Sequence, residues 1–182
     1  DLRLRWSNLA LQYPLLDRRA DIVTRSHQIF RFLRHEIQLQ HARQLLFPSH
    51  AYCHVGRNGT PFLAETAATI ECVMHRPEQL ERHCMLFPQF FWFAAALCQS
   101  DAPVVYISGL RLFRAVLPTY TCNDAARHSL QAGLAASESW SRPFRGVQEL
   151  VMRGLSTAQT EEHSISTLRL LLSVSLMNSN DN

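Results

Sequence analysis

Apolar residues return every three or four positions along most of this chain, and that spacing belongs to the face of an α-helix. Leu2, Trp6, Leu9, Ala10 and Tyr13 make the first such run, with Pro14 as its stop, and Ile22, Val23, Ile29, Phe30 and Leu33 make the second. A half-buried strand would alternate with period two. The best strand candidate by composition, Val104 to Ser108, lies inside a longer run that keeps the helical spacing. Glycine, which interrupts helices, occurs only 6 times.

The same spacing divides the chain into eight or nine helices and no convincing strand. Asp17 or Asp21 is a candidate cap for the second helix. A short helix over Gln38 to Leu46 is followed by the longest expected loop, Pro48 to Pro61, which holds Gly56 and Asn58-Gly59. Helical spacing resumes over Phe62 to Met74. Phe87 to Leu97 is apolar nearly all round, with Pro88 in its first turn, and should lie deep in the core. Asp101 and Pro103 open a helix over Val104 to Leu117 that Pro118 ends. Asn123 or Asp124 caps a further helix to about Ala136, and another runs from Pro143 to Leu155. Thr157 or Thr160 starts the last, with Ile165, Leu168, Leu171, Leu172 and Leu176 along its inner face. The expected architecture is an all-α solenoid of stacked antiparallel helix pairs, HEAT- or armadillo-like, at about 35 to 45 residues per pair. Residues 1–177 form one helical-repeat segment, expected to be a fragment of a longer chain, and 178–182 a disordered tail.

Composition narrows the function. With 182 residues, 47% of them hydrophobic, the chain can bury a substantial core. The 18 basic residues are all arginine, spread along the chain for a net charge of +3, and no block is dense enough for a nucleic-acid stripe. Arginine-only usage is what a GC-rich genome produces. Five cysteines at loose spacing, Cys53, Cys72, Cys84, Cys98 and Cys122, suit reduced buried thiols rather than a disulfide framework. The longest apolar stretches, Phe90 to Cys98 and Leu168 to Met177, are too short to span a bilayer.

Few residues suggest chemistry. Cys53-His54, Cys72, His75 and His83-Cys84 cluster in sequence, and Cys72-x-x-His75 has ligand-like spacing, but structural zinc sites show two tight pairs across a short loop and this set does not. His83 and Cys84 would diverge by about 100° on a helix, so they make a poor nucleophilic dyad. There is no Gly-x-Ser-x-Gly elbow, P-loop or Gly-x-Gly-x-x-Gly. Glu161-Glu162 and Glu78/Glu81 read as solvated helix starts, and Phe90 to Phe93 as core. The chain therefore carries no expected catalytic, cofactor or metal residues and no small-molecule substrate. Arg18, Arg25, Arg31 and Arg34 are the candidate partner-binding residues, a basic ridge for an acidic protein.

Three stretches carry a family resemblance. Trp6-Ser7-Asn8-Leu9-Ala10-Leu11 followed by Arg25-Ser26-His27-Gln28-Ile29-Phe30-Arg31 resembles a Leu-Ala helix and an Arg-Ser-x-Gln-Ile-Phe-Arg segment of the Furry family and related fungal cell-morphogenesis proteins. Phe87 to Leu97 resembles a family helix with Phe-Trp before small residues. Val104 to Phe113 resembles the next one, with its Val-Tyr-x-Ser-x-Leu-x-Leu core. The resemblance covers roughly residues 1–117, with little from Thr121 on, and the stretch Pro48 to Pro61 departs from it where a more regular helix is expected. It implies a C-terminal-side segment of a very large helical-repeat scaffold, without catalytic residues. Such proteins organise an NDR-type kinase and its Mob coactivator in polarised growth and cell shape. The implied location is the cytoplasm, the cell cortex or sites of polarised growth. The alternative is a helical-repeat adaptor for RNA or another protein cargo, which needs basic residues at regular repeat positions.

Overall fold

A computed structural model describes residues 2–17, 19–34, 37–53, 59–76, 86–122, 124–125, 127–128, 131 and 146–179. Among these residues the chain is all-helical. The described residues form eight bounded α-helices, one 3-10 turn and no strand: α1 (Leu2–Leu16), α2 (Ala20–Leu33), α3 (Leu39–Cys53), α4 (Thr60–Met74), α5 (Phe87–Leu97), α6 (Pro103–Cys122), α7 (Val147–Met152), the 3-10 turn Arg153–Ser156 and α8 (Ala158–Ser179); residues 124–125, 127–128 and 131 are helical as well. Val104 to Ser108 is helical, inside α6. The chain divides into two compact units, Asp1–Gln79 and Leu80–Asn182.

In the N-terminal unit, α1 packs on α2 and α3, and both of those pack on α4. The core is built from Leu11, Val23, Phe30, Ile37, Leu45, Phe62 and Ile70, each at most 3% exposed. Asp17 shapes the turn from α1 to α2. Its carboxylate accepts the Arg19 backbone N–H at 3.1 Å and pairs with the Arg19 guanidinium at 3.0 Å. The cap position itself falls to Arg19, without a side-chain bond, and Asp21 lies in the first turn where the helix dipole favours a carboxylate. At the far end Arg34 caps α2 in the left-handed region, φ 48°. A side chain there carries strain that a glycine would avoid.

Prolines do not end helices in this unit. Pro14 lies inside α1 and Pro48 inside α3, so the expected stop at Pro14 and the expected loop from Pro48 give way to helix as far as Leu16 and Cys53. An internal proline removes one i→i−4 bond and crowds one carbonyl. Tertiary packing and neighbouring bonds offset that loss here: Pro14 is buried on the packing face of α1, and the ladder resumes with Asp17 N–H on Tyr13 O at 2.9 Å. Beside Pro48, the Ser49 hydroxyl donates to Leu45 O at 2.6 Å. The more regular helix that the family resemblance implies for this region is present as far as Cys53. Pro61 sits in the first turn of α4, where its missing N–H costs nothing.

In the C-terminal unit, α5 packs on α6, α6 on α8, and α8 on α7 and the 3-10 turn. The aromatic-alanine helix is as deep as its sequence implied: Phe87, Phe90, Phe91, Phe93, Ala94, Ala95 and Leu97 are buried. It lies close against α6 because Gly109 has no side chain; a Cβ there would meet Cys98 Sγ at 2.7 Å and Leu97 Cβ at 2.9 Å. Burial pushes the Cys98 thiol up, out of the range of a reactive thiolate. Helix α6 runs through Pro118 to Cys122 and does not end at Leu117. The helix expected from Asn123 or Asp124 to Ala136 falls mostly outside the described residues. So does the start of the one expected from Pro143; its described part is α7 and the 3-10 turn.

Helix α8 is turned partway from the expected face. Thr160, Ser164 and Thr167 are buried, while Ile165, Leu168 and Leu171 are half-buried and Leu172 is exposed. Small hydroxyl residues let α8 come close to α6 and satisfy their own polar groups: Thr160 Oγ1 donates to Gly154 O at 2.6 Å, and Thr167 Oγ1 to His163 O at 2.8 Å. Thr157 is extended just before the helix, its hydroxyl 2.7 Å from that of Thr160, so both proposed start residues belong to this turn.

Candidate functional site

Three side-chain clusters and one surface stand out. The first cluster joins α2 to α4 and contains one of the candidate arginines. Arg31 reaches Glu65 with Nη2 on Oε2 at 2.8 Å and Thr69 Oγ1 with Nη1 at 3.0 Å, and the pair is about four-fifths buried, at 22% and 21% side-chain exposure. The Thr69 hydroxyl donates to Glu65 O at 2.9 Å, so its lone pairs receive Arg31 and the Nδ1–H of His27, 2.9 Å away. His27 is thereby held as the Nδ1–H tautomer, with Nε2 buried and unpartnered. Burial, with the nearby Arg31 charge, lowers its pKa to about 3, so the ring is neutral at ordinary pH.

The second cluster ties α1 to α3. His41 is fully buried; its Nδ1 accepts the Gln38 backbone N–H at 3.1 Å, and its Nε2–H donates to Asn8 Oδ1 at 2.8 Å. Gln40 Nε2 donates to the same oxygen at 3.0 Å. The third lies in the other unit. The Tyr106 hydroxyl points at the carbonyls of Leu150 and Val151, 2.9 and 3.0 Å away, with Ser164 Oγ at 3.5 Å. Gly154 makes room for it, since a Cβ there would lie 2.5 Å from the Tyr106 oxygen and 2.2 Å from Ser164 Oγ. Beside it Arg153 donates to Gln99 O at 2.9 Å, beyond the C-terminus of α5, and pairs with Asp101. A cation is favourable at that end of a helix. Each cluster fastens helices together. None combines a nucleophile, an oriented base and an open approach, the minimum for covalent or acid–base catalysis.

The candidate ridge separates when placed on the helix. Arg18 lies outside the described residues. Arg25 is exposed at mid-helix, Arg34 is exposed at the C-cap, and Arg31 is turned to α4. Arg25 and Arg31 are six residues apart, about 120° around the axis, so α2 cannot present both to one partner. Arg25 instead shares an outward face with Gln28, Ile29 and Phe32; Phe32 is 85% exposed. That mixed face was missed in the sequence, where Ile29 counted toward the apolar pattern of the core.

Of the metal-like side chains, those of Cys72 and His75 are described. His75 is exposed at the end of α4 with Nδ1 2.7 Å from Glu71 O, and Cys72 Sγ accepts from Arg76 at 3.7 Å. His54, His83 and Cys84, and the side chain of Cys53, lie outside what is described. Among the described residues no three His, Cys, Asp or Glu side chains gather as a metal site, and no helix is long and apolar enough to cross a membrane.

A family profile described as cell morphogenesis C-terminal matches residues 88–180, just over half of the chain. It opens in the aromatic helix α5 and runs through α8, within the C-terminal unit. The match extends well past Thr121, where the sequence resemblance had been read as faint; the Ser-, Thr- and Leu-rich stretch there has few distinctive residues to carry it. No solved structure matches the chain.

Proposed function

Because the chain belongs to the cell morphogenesis C-terminal family, we propose that it acts as a non-catalytic, HEAT- or armadillo-like scaffold segment that presents helical surface to protein partners. Its role is in morphogenesis, and the partners proposed for it are an NDR-type kinase and its Mob coactivator, acting in polarised growth and cell shape at the cortex. One observation carries this reading: the family match falls on a helical unit whose described polar cluster, around Tyr106 and Arg153, serves packing. The outward residues Arg25, Ile29 and Phe32, which share one face of α2, are the proposed contact. A basic, partly aromatic patch of that kind suits an acidic protein surface. Arg31 is left out of the contact because Glu65 and Thr69 occupy its guanidinium.

The test is a binding assay with purified NDR-type kinase and Mob protein, using the chain and its Arg25→Glu variant. Retention of either partner by the native chain, lost in the variant, is the expected result. Retention by both keeps the scaffold and moves the contact off α2. No retention by either overturns the kinase and Mob reading.

A further inference from the structure

The link between α7 and α8 holds an engaged arginine and an exposed hydroxyl within one turn. Arg153 opens the 3-10 turn and Ser156 closes it. From Leu155 to Gln159 every residue is exposed, the longest such run among the described residues. The Ser156 hydroxyl donates to Arg153 O at 2.8 Å. The next residue, Thr157, is extended, with φ −134° and ψ 132°. An extended, exposed residue beside a surface hydroxyl can enter an enzyme cleft without breaking a helix.

Arg153 ties this turn to the end of α5. Its guanidinium donates to Gln99 O at 2.9 Å and Cys98 O at 3.4 Å and pairs with Asp101. The two side chains are 44% and 97% exposed. An ion pair so open to water contributes little, so a stronger anion close by would displace the carboxylate. A phosphate carries up to about two charges and three acceptor oxygens, and arginine meets it with two parallel bonds.

Arginine stands three residues before a serine or threonine twice in the sequence, at Arg57 and Thr60 and at Arg153 and Ser156. Thr60 is half-buried at the start of α4 and is followed by Pro61, whereas Ser156 is exposed. A cation at that offset is a charge pattern by which kinases choose substrates.

We propose that Ser156 is a phosphorylation site for an arginine-directed serine kinase, and that its phosphate draws Arg153 away from Asp101. In the step, Ser156 Oγ attacks the γ-phosphorus of ATP, the bond to the bridging oxygen breaks and ADP leaves. The hydroxyl proton passes to the carboxylate base of the kinase. Once esterified, Ser156 no longer donates to Arg153 O. The exposed carboxylates Glu161 and Glu162 in α8 repel the phosphate and leave Arg153 as the nearest cation in sequence. The site rests on these residues and not on the kinase and Mob reading.

The full chain and a synthetic peptide of Leu150 to Gln159 are each incubated with magnesium ATP and a purified arginine-directed serine kinase. Both should take up one phosphate that tandem mass spectrometry maps to Ser156. Ser156→Ala should take up none at that position, and Arg153→Met should slow the uptake at least about tenfold, having lost a charge-assisted contact to the kinase. Hydrogen exchange then reads the tie. The amides of Gln99 to Ala102 should exchange faster in the phosphorylated chain and in unphosphorylated Arg153→Met, and be unchanged in Ser156→Ala carried through the same treatment. Phosphate on the peptide but not the chain, on neither, or at Thr60 in place of Ser156 overturns the proposal. So does unaltered exchange from Gln99 to Ala102 once Ser156 is phosphorylated.

Discussion

The two units are built from the same kind of helix and finish their surfaces differently. Among the described residues, ten of the fourteen large hydrophobic side chains that are exposed belong to the N-terminal unit, from Leu2 to Phe47, against four in the C-terminal unit, Val104, Met152, Leu155 and Leu172. Among the described residues, the buried polar atoms without a partner divide the same way: Ser7 Oγ, His27 Nε2, Gln44 Oε1 and Thr66 Oγ1 all lie in the N-terminal unit. The C-terminal unit closes its apolar core around α5, and its buried Thr160 and Thr167 hydroxyls donate to carbonyls. An exposed apolar stripe costs solubility and an orphaned polar atom costs stability. Among the described residues, the unit within which the family profile matches leaves fewer large apolar side chains exposed and fewer buried polar atoms without a partner.

The largest effect expected of a single substitution contrasts one residue type in the two settings. Phe113 in α6 is fully buried, and Phe113→Ala should cost about 3–5 kcal/mol of unfolding free energy by denaturant titration. Phe32→Ala, in the N-terminal unit, serves as its control below. Next is Gly154→Ala, whose methyl group would displace Tyr106 or Ser164; a loss of about 2–3 kcal/mol is expected, from overpacking and a broken buried hydrogen bond. A loss under about 0.5 kcal/mol would mean that the C-terminal unit is packed less tightly than the contrast requires.

The third prediction concerns pH and the N-terminal unit. His27 is neutral when folded, with a pKa lowered to about 3, whereas an unfolded histidine titrates near 6.5. The unfolded chain therefore binds the proton first, so this stabilisation is complete above about pH 6.5 and is lost as pH falls toward about 3, at up to about 1.4 kcal/mol per unit. Melting the native chain and His27→Gln at pH 7 and pH 5 checks it: the native chain should lose more stability than the variant. Parallel curves would remove His27 as the cause.

Smaller effects sharpen the same comparison. Arg31→Met keeps much of the stem and removes the bonds to Glu65 and Thr69, and should cost about 1–2 kcal/mol. Arg25→Met should cost less than about 0.5 kcal/mol, being exposed. Equal losses would erase the distinction between a structural and a presented arginine. Phe32→Ala should also fall within about 0.5 kcal/mol.

Much of the fold was legible because helical spacing is local. The depth of α5, the helix over Val104 to Leu117 and the Thr157 start of α8 could be read from residues three or four apart. Proline was misread three times, at Pro14, Pro48 and Pro118, because its local cost of one ladder bond is visible in sequence while the packing that offsets it is not. The candidate arginines were legible as charges, not as directions. Arg31 and Arg25 look alike until Glu65, 34 residues away, takes up one of them.

What the sequence determined alone is that the chain is helical and that it could bury a large core, since both follow from residue spacing and composition. Which side of each helix would be buried was decided by tertiary structure. On α1 and α8 the more apolar stripe faces out or is only half covered, and small or hydroxyl residues face in, at Ser7 and Ala10 and at Thr160, Ser164 and Thr167. The physical reason is close approach. Short side chains let helix axes come near, and on α8 the Thr160 and Thr167 hydroxyls bond to backbone carbonyls, whereas an amphipathic pattern records which residues are apolar and not what will lie against them.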